Sequence, residues 1–107
     1  MRTLKLTVHK KAFDVMVTGE KTDEYRDTSQ WILSRLMDKK GKAKVYDLVQ
    51  FTNGYGSDRP SFTCEFKGWE VILDKQTLTW SNGLQVNTYL GMIKIKLGEI
   101  ITKTNCH

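Results

Sequence analysis

The sequence predicts an α+β domain: two short helices near the N-terminus, then a mostly antiparallel sheet closing into a small β-barrel. Three observations lead there. The hydrophobic period changes from two to 3.6 and back again within the first 37 residues. From residue 45 onward, short alternating runs are separated by turn chemistry. No helical period interrupts those later runs, which argues against a parallel, doubly wound sheet. With 107 residues, 39% of them hydrophobic, the chain has material for one core and not two. Residues 1–107 therefore read as a single domain.

Each element follows from its pattern. Thr3 to Val8 alternates, with Leu4, Leu6 and Val8 on the inward side. Phe13, Met16 and Val17 then fall at helical spacing, predicting a helix near residues 9–18 that stops at Gly19. Lys21 to Arg26 returns to an extended alternation. Asp27 or Thr28 can cap a second helix, with Gln30 placed as in a capping box and Ile32, Leu33, Leu36 and Met37 on its apolar face. Val45 to Thr52 reads as a strand ended by Asn53-Gly54-Tyr55-Gly56. Phe62 to Leu73 is a second, bent at Gly68. Thr77–Trp80 and Leu84–Asn87 flank a turn at Ser81-Asn82-Gly83 and form a hairpin. Met92 to Leu97 and then Ile100-Ile101 close the chain as further strand.

Composition excludes several classes. The longest apolar runs are three residues, such as Trp31-Ile32-Leu33, where a membrane span needs about 20. The N-terminus lacks the apolar stretch of a signal peptide, so the expected location is the cytoplasm. Cys64 and Cys106 form no C-x-x-C pair, and His9 and His107 lie at no zinc-like spacing. We expect free thiols, no metal site and no cofactor.

The net charge of +5 is unevenly placed. Residues 1–44 hold eleven Lys or Arg against six Asp or Glu, while residues 45–107 hold six of each. The excess concentrates in Lys39-Lys40-Gly41-Lys42-Ala43-Lys44 and around Lys10-Lys11. Such a patch suits a polyanion, because phosphate contacts release counterions. A solvated loop that maintains solubility is the alternative.

The octapeptide Gly19-Glu20-Lys21-Thr22-Asp23-Glu24-Tyr25-Arg26 concentrates polar chemistry. If it is extended, Glu24 and Arg26 share one face and can pair. An arginine held by a carboxylate points in a defined direction, ready to meet a phosphate or a base edge. Lys21 alternates onto the other face unless the turn after Gly19 rotates it round. A polar edge strand with a surface salt bridge is the bland alternative.

The pattern G-x-K-x-x-E-x-R after a short helix, here Gly19, Lys21, Glu24 and Arg26, resembles the signature of the ASCH family, a small barrel related to the PUA domain. The resemblance extends over the chain, including the Phe51–Tyr55 turn and the closing Ile95–Ile100 segment. It implies an RNA- or nucleotide-binding module whose signature residues line a cleft. Some ASCH-like proteins hydrolyse N4-acylated cytidine, using a Lys and a Thr near the signature and a distant Glu; RNA cleavage is a further activity of such proteins. At the position of that Thr this chain has Glu24. If the chain is an enzyme, Lys21 and Glu24 are its reactive groups; Thr22, Glu65 and Glu70 could substitute in an altered site, and the enzyme reading gains ground if Glu65 or Glu70 points into the same cleft. As a binding module it would use Lys21, Glu24, Arg26, Tyr55, Lys40 and Lys42. Tyr55, on the Asn-Gly turn, could stack on a base. Trp69 is expected in the core, Trp31 and Trp80 could wall an open barrel end, and His9 is expected to be solvated.

Overall fold

A computed structural model describes residues 1–106; His107 lies outside the described residues. The elements are β1 (Thr3–Val8), α1 (Lys10–Met16), β2 (Asp23–Arg26), α2 (Gln30–Leu36), β3 (Leu48–Asn53), β4 (Ser61–Val71), β5 (Thr77–Thr79), β6 (Gln85–Asn87) and β7 (Ile93–Thr104). Five strands form one sheet in the order β1-β3-β4-β7-β2, and β5 and β6 form a separate hairpin. No described helix is long and apolar enough to cross a membrane.

The α+β class, the two early helices and a mostly antiparallel sheet are as the sequence predicts, but one strand pair is parallel and the sheet curls into a half-barrel without closing into a barrel. β1 and β3 run parallel. The reason is topological: α1, β2 and α2 intervene between them, and that crossover returns the chain in its original direction. β2 itself goes to the opposite edge, beside β7. Among the described residues no ladder joins β1 to β2, so a seam remains between the two edge strands.

Register explains the core. Leu4 sits opposite Val49 and Leu6 opposite Phe51; Val49 faces Cys64 and Phe51 faces Phe62. These inward residues are all at most 3% exposed. Phe51 stacks on Phe62 at 5.4 Å between centroids, and Phe13 from α1 meets Phe62 edge-on at 5.5 Å. α1 buries Ala12, Phe13, Val15 and Met16. Val17, expected among them, is the C-cap residue and only partly buried. Trp69 packs partly buried against this core.

Three boundaries differ from the expectation, each for a local reason. α2 is capped by Ser29, whose Oγ accepts the Ile32 N–H at 3.2 Å. Asp27 and Thr28 are engaged elsewhere: Asp27 accepts the Tyr89 hydroxyl, and Thr28 donates to the Gly91 carbonyl at 2.5 Å. β3 begins at Leu48, leaving Val45 exposed, because Asp47 folds back to accept the Arg2 N–H at 2.9 Å. β7 runs through Gly98 unbroken: a Cβ there would approach the Glu65 Cβ to 2.8 Å, so glycine lets β7 pass β4 closely. The bend expected at Gly68 is present, with φ of +98° and a register shift between Phe66 and Trp69.

Candidate ligand-binding site

β2 pairs with β7 so that Glu24 lies opposite Ile95 and Arg26 opposite Ile93. Ile93 and Ile95 belong to the buried core. The face of β2 that carries Glu24 and Arg26 is therefore the inward face of the half-barrel. An edge strand that reads as polar from its sequence turns two charged residues toward the interior, where local pattern alone would favour apolar ones.

The chain satisfies these charges internally. Glu24 is only 6% exposed. Its Oε2 accepts from Arg26 Nε at 2.8 Å, and its Oε1 accepts from Lys21 Nζ at 3.1 Å and from the Tyr25 N–H at 3.2 Å. Lys21 precedes the strand. The turn at Gly19, with φ of +85°, and the Lys21 N–H to Val15 carbonyl bond at 2.9 Å bring it round toward Glu24. Lys21 is 2% exposed. Its ammonium also donates to the Asp23 carbonyl at 2.5 Å and lies 5.4 and 5.3 Å from the ring centroids of Tyr25 and Trp80.

Arg26 spans the seam. Its Nη2 donates at 2.7 Å to the Thr7 carbonyl on β1, an acceptor that the edge strand leaves outside its ladder. Nε and one Nη2 hydrogen are thus occupied, and the other three of the five guanidinium N–H groups have no partner among the described residues.

These residues line a cavity of about 410 Å³, within the range of about 300–1,000 Å³ common for small-molecule sites. Thr7 and Val8 of β1, His9 and Ala12 at the start of α1, and Gly54 and Tyr55 of the β3–β4 turn supply one part of its wall. Leu84 and Val86 of the hairpin supply another. The combination is an apolar pocket with two cations and one buried anion. The Tyr25 hydroxyl titrates above its ordinary range, chiefly because burial disfavours the phenolate, with Asp23 and Glu70 adding to the effect. It stays a neutral hydrogen-bonding group at physiological pH.

Of the residues singled out from the sequence, Lys21, Glu24, Arg26 and Tyr55 surround this one cavity. Lys40 and Lys42 do not line it. They lie in the α2–β3 loop, where Asp38 Oδ1 accepts both their backbone N–H groups, at 2.8 and 3.0 Å. Glu65 and Glu70 also lie away from the cavity. Glu65 accepts the Glu99 N–H at 2.9 Å and sits 3.5 Å from Lys67, whereas Glu70 sits 3.7 Å from Lys94. His9 caps α1, its Nδ1 accepting the Ala12 N–H at 3.4 Å, and stands at the cavity rim. The hairpin wall and the Thr7 carbonyl carry no sequence signal, because each is recruited by tertiary packing.

The hairpin is held by a specific latch. Glu20 accepts from Ser81 N–H at 2.7 Å and from Ser81 Oγ at 2.5 Å, and the Asn82 side chain donates to the Lys11 carbonyl at 2.8 Å. The two Ser81 bonds hold the Glu20 carboxyl below its usual range. A depressed carboxylate favours the latched state above its unlatched value, and that contribution disappears as pH falls through the depressed one. In an NMR titration the Ser81 amide resonance should move with an apparent pKa below about 4.3, the value of a free Glu. A transition at or above that value would show that the latch does not hold in solution.

Comparison with protein-family models, curated proteins and solved structures found no match to this chain. Fold and site together define a curled α+β domain with a cation-lined cavity at the open seam of its sheet.

Proposed function

We propose that this chain is an RNA- or nucleotide-binding module of the ASCH, PUA-like type, holding its ligand in the cavity beside Arg26. One observation supports this reading most: Glu24 faces the core and is pinned between Lys21 and Arg26. A buried carboxylate with both oxygens engaged is poorly placed to take a proton from a substrate. It is well placed to orient an arginine whose remaining donors meet a phosphate or base edge. The apolar walls from Leu84 and Val86 suit the faces of a base, and the excess positive charge suits its phosphate.

The alternative, hydrolysis of an N4-acylated cytidine or of RNA, needs a free nucleophile or base and a second acid. Lys21 is engaged by Asp23 and Glu24, and neither Glu65 nor Glu70 lines the cavity. The binding reading is therefore preferred.

The test is a thermal-shift screen of nucleosides, nucleotides and short RNAs, with N4-acetylcytidine turnover followed by absorbance. Nucleotides should raise the melting temperature more than nucleosides, since only they bring a phosphate to the Arg26 guanidinium; a ligand at 100 times its Kd stabilises by about 2.7 kcal/mol. Turnover should stay below about 1 s⁻¹, the low end for enzymes. If the lysine loop contributes to RNA binding, neutralising Lys39, Lys40, Lys42 and Lys44 will flatten the salt dependence by up to about 0.7 for each phosphate left without a cation. No shift with any nucleotide, or turnover abolished by Lys21→Ala, would overturn the reading.

A further inference from the structure

A second hollow, of about 460 Å³, adjoins the cavity at Arg26. Lys5, Thr7, Arg26, Trp31 and Tyr55 line it, and Thr7, Arg26 and Tyr55 also line the cavity. Because Arg26 lines both spaces, a ligand anchored there has a walled continuation into the second hollow.

The residues in that continuation have a specific chemistry. Trp31 is 49% exposed and Tyr55 is 89% exposed, and neither ring belongs to the hydrophobic core. The Arg35 guanidinium lies 4.9 Å from the Trp31 ring centroid, over one face of the indole. No acidic side chain pairs with Lys5 or Arg35 among the described residues. Open aromatic rings flanked by unpaired cations are the elements that recognise successive nucleotides of a single strand, with rings stacking on bases and cations meeting phosphates. A free nucleotide in the cavity would leave these groups unused.

We propose that the hollow at Lys5, Trp31 and Tyr55 is a stacking subsite for the nucleotide adjoining the one held at Arg26, so that the ligand is a single-stranded oligonucleotide. This rests on the cavity being a nucleotide site. The test compares nucleoside 5′-monophosphates with mixed-sequence trinucleotides, in ribo and deoxyribo forms, by calorimetric titration. Trinucleotides should bind at least about tenfold tighter than monophosphates, the equivalent of one stacked base. Trp31→Ala should remove about tenfold of trinucleotide affinity and leave monophosphate binding within about twofold, because Trp31 lines only the outer hollow; Trp31→Phe should retain most of the affinity.

Lys5→Ala, on the same hollow, provides a second variant that leaves every ring in place and should also weaken only the trinucleotide. Monophosphates that bind while trinucleotides bind no tighter would overturn the subsite and leave the cavity reading standing. Equal loss of both ligands in Trp31→Ala would do the same. Binding of neither ligand would overturn both. Displacement of the trinucleotide by polyglutamate at equal charge concentration would mark an unselective anion surface and also overturn the subsite.

Discussion

Replacing Glu24 with leucine is expected to destabilise the fold by about 3–5 kcal/mol, the cost of leaving a buried charge without its partner. For a domain near 100 residues that corresponds to a fall of roughly 15 °C or more in melting temperature. The effect should be large because Lys21 cannot reach water where it stands: it is 2% exposed, and its ammonium lies against Glu24, Asp23 and two aromatic rings. Without the carboxylate, Lys21 and Arg26 would share a space with no anion between them. Replacing both members, Lys21→Met with Glu24→Leu, should recover most of the loss, because an apolar pair of similar volume needs no compensation there. Arg26, about one quarter exposed, can then turn toward solvent. Urea unfolding of the two single variants and the double variant measures the coupling directly. A Glu24→Leu variant within about 1 kcal/mol of the parent would mean that Lys21 is solvated, and the buried-triad description would fail.

Much of this arrangement is legible in the sequence, and the limits have physical causes. The alternation of Leu4, Leu6 and Val8 identifies β1 and its inward face, since a buried strand face must be apolar. The period of two likewise places Glu24 and Arg26 side by side, as their 2.8 Å contact shows. It does not say which face of β2 turns inward. Both faces are polar, so the choice comes from the pairing of Glu24 with Ile95 and Arg26 with Ile93, partners about 70 residues away in sequence. The parallel β1–β3 pair is hidden for a similar reason, because strand direction follows from the crossover and not from any residue within the strands. Lys40 and Lys42 share the positive charge of the N-terminal half with Lys21, yet charge counting carries no distance, and Asp38 holds their backbone in a separate loop. Lys21, Glu24 and Arg26 come together because the Gly19 turn brings Lys21 round and the long-range β2–β7 register turns Glu24 and Arg26 inward.

If the cavity holds a nucleotide as proposed, Arg26→Lys should lower its affinity nearly as much as Arg26→Ala, by about 1–3 kcal/mol, or up to roughly 100-fold. Charge is retained in the first variant and removed in the second, so the comparison separates charge from geometry. Arg26 uses Nε on Glu24 and Nη2 on Thr7, which fixes the plane of the guanidinium across the seam and aims its free N–H groups. A lysine has one donor nitrogen at the end of a flexible stem and cannot serve Glu24, the Thr7 carbonyl and a ligand in fixed directions at once. The fold should tolerate either change better than it tolerates the loss of Glu24, because Glu24 keeps Lys21 as a partner and the broken bonds lie at a part-exposed seam. Ligand preference should also relax, since a base edge read by a planar fork is no longer read once the fork is gone. The Arg26→Lys protein binding every nucleotide as tightly as the parent would show that a point charge suffices, and that the seam arginine does not direct recognition.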